Sequence, residues 1–319
     1  MEIDVLHGSA KNWSFLPTMA MAANVQEIQM IRSLAPALFV LFWSTGFIVA
    51  RAAAPHADLQ LFLLYRFALA AALLAIAAAA ARTPWPRPRD LLRHVLTGAV
   101  MMGVYLCLSF WAIGQGLPAG IMALLGALQP LFTAALLVSR GHGRPSSSMW
   151  LGLLVGFSGV LLVLFPRLVG GGFALTSFAN IGAGLLSILA LTLGTLAQKR
   201  LAGGDLRVTG CLQNLGAAMV AGFAVLSVGT IRWDESFILW GALVWAVLIS
   251  SIVSQGMLMW MMRHGEATRV TALMLLVPPA AAVMAYAFFG ETLTTLQFVG
   301  FALALIGVVF TRTAPQQTD

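Results

Sequence analysis

Ten stretches of this chain are dominated by apolar residues, and polar residues are confined to short breaks between them. A membrane-spanning helix needs about 20 mostly apolar residues, with a range of roughly 17–25. The stretches run over 34–53, 59–81, 94–113, 118–139, 149–167, 178–198, 208–229, 237–258, 267–289 and 294–311. Turn residues mark the breaks, among them Pro55-His56, Gly116-Leu117-Pro118, Gly170-Gly171-Gly172 and Gly203-Gly204-Asp205. No break is long enough to fold as a soluble domain. The pattern predicts an all-α membrane protein of ten transmembrane helices.

The ten helices divide into two copies of five. Trp111, Gly116 and Pro130 recur as Trp260, Gly265 and Pro279, each 149 residues later. Arg51 and Ala68 pair with Arg200 and Ala217 at the same offset, and Gly152 and Gly159 pair with Gly300 and Gly307 one residue closer. Five is odd, so the second copy must lie inverted relative to the first. The loop charges agree: Arg140 and Arg144 follow the fourth helix, whereas in the second copy Arg263 and Arg269 precede the corresponding helix. The expected domains are a first repeat over 34–167 and a second over 178–312. Inverted repeats of this kind occur in secondary transporters, with a site near the midplane between the halves. Trp111–Pro130 and Trp260–Pro279 are expected to approach one central cavity from opposite sides.

Composition narrows the class further. The chain is 60% hydrophobic and 9% charged, against roughly half and a quarter in soluble domains. Its net charge of +7 is read as the bias of Lys and Arg to cytoplasmic loops rather than as nucleic-acid binding. Most of the basic residues fall on the side that holds both termini, from Lys11 and Arg32 through the Arg82–Arg93 and Arg140–Arg144 loops to Arg312. Only Arg51, Arg167 and Arg232 fall on the other side. Both termini are therefore expected in the cytoplasm. Residues 1–33 lack a signal-peptide pattern and read as a disordered or interfacial cytoplasmic extension, with Met19, Met21 and Met30 as in-frame alternative starts. Residues 313–319 read as a cytoplasmic tail. Cys107 and Cys211 lie inside apolar runs and have no disulfide or metal spacing.

Several residues could carry chemistry. Arg66 is the one charge well inside a span, and a charge there should face the bundle interior or water. It could hold a substrate carboxylate or phosphate, or it could snorkel toward the helix end. Pro130, Pro278 and Pro279 lie within apolar runs, where each frees a backbone carbonyl. They are candidates for a hinge or kink that lines a cavity; the plainer alternative is a static bend. Trp43, Ser44, Tyr105, Gln129, Asn214, Ser254 and Gln255 are candidate substrate contacts. So, more loosely, are Thr45, Ser109, Gln213, Ser250, Ser251 and Tyr286, although polar groups in spans often serve only as interhelical bonds. Glu291 is a candidate gate or proton site, or simply an acid at a helix N-terminus. No acidic residue lies in the middle of a span, so a buried carboxylate relay is not expected. Neither are a cofactor, a metal site or an ATPase.

The segments LFWSTGFIVAR, YRFALAA, GLPAGIMALLGALQPLFTAALL and VPPAAAVMAYAFFGETLTTLQFVGFALALIGVV resemble the drug/metabolite transporter superfamily, specifically proteins with two EamA domains. The resemblance spans Leu34 to about Arg312. It departs where the first copy has His142-Gly143 in place of Gly-Glu. It implies a ten-helix inner-membrane exporter or exchanger of small metabolites, amino acids or similar, working by alternating access. The lipid bilayer and a small-molecule substrate are the expected partners, and an enzyme is not expected. The competing class is a non-transporting membrane scaffold or assembly protein.

Overall fold

The computed structural model describes residues 37–126, 128–139, 147–169, 175–201, 204–228, 231–263, 276–290 and 294–312. The chain divides into two units, Met1–Leu38 and Phe39–Asp319. The second holds a helical bundle. The extension over 1–33, the tail over 313–319 and Glu291 lie outside the described residues.

Eleven helical segments are described. In the first half they are α1 (Ala37–Ala53), α2 (Leu59–Ala80), α3 (Pro88–Gly114), α4 (Ala119–Gly126), α5 (Gln129–Ser139) and α6 (Ser147–Val169). In the second half they are α7 (Leu175–Arg200), α8 (Leu206–Val228), α9 (237–263), α10 (Val277–Phe289) and α11 (Thr295–Arg312). Among the described residues five helices are long and apolar enough to cross a membrane, and they lie in α2, α3, α7, α8 and α9.

Local chemistry sets the helix starts. The Asp58 carboxylate accepts from the Gln60 and Leu61 N–H groups at 2.9 and 3.0 Å and caps α2. Helix α3 starts six residues before its apolar run, because Pro88 suits the first helical position and Asp90 complements the N-terminal dipole. Asp205 caps α8 by accepting from the Arg207 N–H at 2.8 Å, and it also pairs with the Arg207 guanidinium at 2.8 Å. That side-chain hydrogen bond holds the Asp205 carboxyl down at about 2. A carboxylate held low stabilises the fold above its unfolded value of about 3.9, and the benefit disappears as pH falls through the folded value. Asp205→Ala is expected to cost about 1 kcal/mol at neutral pH. The gap to the parent should shrink between about pH 4 and pH 2, read as melting midpoints in detergent.

The expected continuous helix over 118–139 is instead two segments. Helix α4 ends at Gly126 and α5 begins at Gln129, with Pro130 as its second residue. Pro130 has no N–H to offer the Gly126 carbonyl four residues back, so the ladder stops there. The Leu128 N–H bonds instead to Leu125 at 3.0 Å, in a tighter turn. In the second half Pro278 and Pro279 fall in the first turn of α10, after Leu276 as N-cap. Pro130 thus sits in the first turn of α5, where a missing donor costs least, and residues 264–275, which precede α10, lie outside the described residues.

Packing crosses between the halves. Helix α2 lies along α8, and α6 lies along α11. Glycines permit this closeness. A Cβ on Gly216 of α8 would collide with the Val95 carbonyl of α3, and one on Gly307 of α11 would collide with the Gly156 backbone of α6. At one end of the bundle the α1–α2 and α8–α9 connections clasp each other. The Asp58 N–H donates to Arg232 O at 2.8 Å, the Asp234 N–H donates to His56 O at 2.7 Å, and the Arg232 guanidinium donates to Ala54 O at 2.7 Å. Tyr65, Trp233 and Trp240 gather beside this clasp at ring separations of 5.0 and 5.6 Å, as expected for an aromatic belt. Phe223, Leu226, Ile76 and Phe237 turn outward and are exposed, as side chains that face lipid would be.

Candidate functional site

Two helices leave the α-helical register at matching places. In α3, Ala99–Val104 form a π segment; in α9, Ala246–Ser254 form another. Shifted by the repeat offset of 149, residues 99–104 fall on 248–253, inside the second segment. A π turn accommodates an extra residue, loosens the backbone ladder and rotates everything after it, and such turns often mark functional sites.

A cavity of about 540 Å³, counting its open space, lies against both π segments. Helix α3 contributes Met101, Met102, Tyr105 and Leu106, and α9 contributes Ser250, Ser254 and Gln255. Helix α1 adds Trp43, Gly46 and Phe47, and α2 adds Arg66.

Arg66 is the charged member, at 4% exposure. Its Nε donates to Ser251 Oγ in the α9 π segment at 2.8 Å, and its guanidinium carbon lies 5.5 Å from the Phe67 ring centre. Its Nη1 is buried with no hydrogen-bond partner among the described residues, and the same holds for Ser250 Oγ and Ser254 Oγ. Beside the cavity, the Gln255 amide donates to Gln213 Oε1 at 3.0 Å and to Met102 Sδ at 2.8 Å. Gln213 in turn donates to Gln198 Oε1. This chain of amides joins α3, α7, α8 and α9.

Of the candidate contacts, Trp43, Arg66, Tyr105, Ser254 and Gln255 come together at the cavity. Ser44, Gln129 and Asn214 do not line it. Ser44 donates to Val40 O at 2.6 Å and lies 3.3 Å from Val277 O, at the start of α10. Gln129 donates to Thr195 Oγ1 at 3.2 Å, and Asn214 donates to Gly210 O at 2.8 Å. Thr45 accepts from the Trp245 indole N–H at 3.0 Å, Ser109 donates to Ser187 Oγ at 3.0 Å, and Tyr286 is exposed. The side chains of Pro130, Pro278 and Pro279 lie outside the described residues, as does Glu291. Trp111 packs on the main core and Trp260 on a smaller one beside Phe39; neither is among the residues lining the cavity. Met101, Met102, Leu106, Gly46 and Phe47 were not singled out from sequence, since nothing distinguishes them from other apolar residues in a span. Among the described residues no three His, Cys, Asp or Glu side chains gather as metal ligands would.

The model of the EamA-like transporter family matches residues 31–165 and again 178–313. The chain is 26% identical to the uncharacterized inner membrane transporter YedA of Escherichia coli, over 86% of this chain and 88% of that one. It is 26% identical to a "Probable amino-acid metabolite efflux pump" of Salmonella typhimurium, covering 85% and 91%. It is 29% identical to a "Probable terminal-alkyne amino-acid exporter" of Streptantibioticus cattleyicolor, covering 85% and 90%. It is also 27% identical to a WAT1-related chloroplastic protein of Arabidopsis thaliana, but spans only 49% of that protein's length. A solved crystal structure superposes with a TM-score of 0.62 at 19% identity, over 87% of this chain and 94% of the other, a likeness of fold.

Proposed function

The chain belongs to the EamA-like transporter family, and from that premise we propose that it exports or exchanges small organic metabolites, amino acids or similar, across the inner membrane by alternating access. In this reading ten spans form two inverted five-helix repeats with both termini in the cytoplasm. The cavity beside the π segments is the substrate site, and the breaks at Pro130 and Pro278–Pro279 are the moving joints. One observation carries the reading. A single cavity is walled by the same backbone device from each half of the chain, as a midplane site in an inverted-repeat transporter would be. The clasp between the α1–α2 and α8–α9 connections supports the topology, since ten spans put both connections on the side opposite the termini.

Counterflow in proteoliposomes tests this. Vesicles carrying the purified protein and loaded with an unlabelled compound should transiently accumulate the labelled form of a true substrate. A panel of organic acids, amino acids, amines, sugars and nucleosides that yields no accumulation would reject transport and leave a non-transporting scaffold. Pro130→Ala restores a donor toward the Gly126 carbonyl and lets α4 run on into α5. Transport is expected to slow several-fold while binding persists; an unchanged rate would reject the joint.

A further inference from the structure

Arg66 presents an unusual electrostatic situation. A cationic group shut away from water is costly unless it is paired. Here the guanidinium has one hydroxyl bond, to Ser251, and the ring of Phe67, while Nη1 has no partner among the described residues. The carboxylates of the described residues are Asp58, Asp90, Asp205, Asp234 and Glu235. Each stands at or beyond a helix end, and none is among the residues lining the cavity. Two further donors, the Ser250 and Ser254 hydroxyls, line the same cavity without partners among the described residues. They stand four residues apart on one helix, so they fall on a common face.

We propose that the cavity binds small apolar monocarboxylates, with the Arg66 guanidinium holding the carboxylate and the Ser250 and Ser254 hydroxyls completing its hydrogen bonds. This rests on the assignment of the cavity as the transport site. The incoming anion supplies the charge that the protein withholds. Arg geometry suits a carboxylate, because the planar fork meets two oxygens at once. Apart from the Tyr105 phenol and the Gln255 amide, the rest of the wall is apolar, with Trp43, Gly46, Phe47, Met101, Met102 and Leu106, a surface for an aliphatic or aromatic body with no further charge. An ammonium group gains little there. It meets no carboxylate among the described lining residues, feels the repulsion of Arg66, and still loses its hydration. The site therefore ranks a simple carboxylic acid above the zwitterionic amino acid of the same skeleton, and both above a cation or a neutral amide.

Isothermal titration of the purified full chain in detergent tests the ranking with one carbon skeleton. 4-Methylpentanoate should bind most tightly and leucine more weakly. 4-Methylpentanamide and leucinamide should be weaker than the acid by about tenfold or more, the scale of a charge-assisted hydrogen bond. Arg66→Gln should abolish the preference for the acid, and Arg66→Lys should restore part of it. Leucinamide or the amide binding within twofold of the acid would overturn the proposal, as would leucine binding tighter than the acid. The parent panel alone decides the matter if Arg66→Gln does not fold. Dihexanoyl phosphatidylglycerol is the second arm: binding as tight as the acid, and competitive with it, would reassign the site to lipid headgroups. Counterflow separates the two readings. Transport of amines or neutral compounds without acids overturns the substrate class and keeps transport. No transport at all overturns transport, and the titration still decides the ligand class.

Discussion

Arg66→Gln is expected to reduce transport about ten- to hundredfold while leaving the melting midpoint unchanged or higher. The two halves of this expectation have one cause. A buried charge without a counter-charge stabilises nothing in the empty protein, because its desolvation is only partly offset by Ser251 and the Phe67 ring. Glutamine keeps a donor for Ser251, fills much of the same space and removes the desolvation cost. What it cannot do is neutralise an incoming carboxylate, and hydrogen bonds to charged groups are worth about 1.5–3 kcal/mol. Initial uptake rates in proteoliposomes and melting midpoints in detergent check both halves. A large fall in the midpoint would identify Arg66 as a structural residue instead, snorkelling or holding a helix end.

Gly216→Leu is expected to prevent assembly of the bundle, with a cost of about 3 kcal/mol or more. The new side chain on α8 would meet the Val95 carbonyl and the Ala99 N–H of α3. These are backbone atoms, which cannot turn aside as a rotamer can. Helix α3 would have to retreat, and its π segment and the cavity wall at Met101 and Met102 would go with it. Gly256→Ala serves as the control. It lies one residue beyond Gln255, yet a Cβ there has nothing within 4 Å. It should leave the protein monodisperse, whereas Gly216→Leu should elute as aggregate on fluorescence-detected size exclusion. A monodisperse Gly216→Leu protein with parental melting would rule out the close approach of α3 and α8.

Much of this architecture is legible in the sequence, and particular residues show where legibility stops. Arg66 stands out because a charge in hydrocarbon has one affordable direction, inward. Pro130 and Pro279 stand out because a missing N–H interrupts any helix, and at Pro130 the described chain does break, between Gly126 and Gln129. Ser44, Gln129 and Asn214 are polar like Ser254 and Gln255, yet none lines the cavity: Ser44 and Gln129 bond to neighbouring helices, and Asn214 bonds to the Gly210 carbonyl of its own helix. Residue type cannot separate these cases.

Sequence alone determined the solvent, the helical class, the twofold division of the chain and the place of its one interior charge. Each follows from a local cost: apolar runs demand lipid, broken ladders demand an end, and a buried charge demands an interior. Only the tertiary structure decided which residues wall the cavity. A helix that is apolar all round, such as α2, carries no stripe to say which face turns inward. Its rotation is set by contacts with helices far away in sequence, where glycines such as Gly216 and Gly307 let backbones meet. The two π segments then turn Met102 and Gln255 toward one another, a rotation that hydrophobic periodicity does not record.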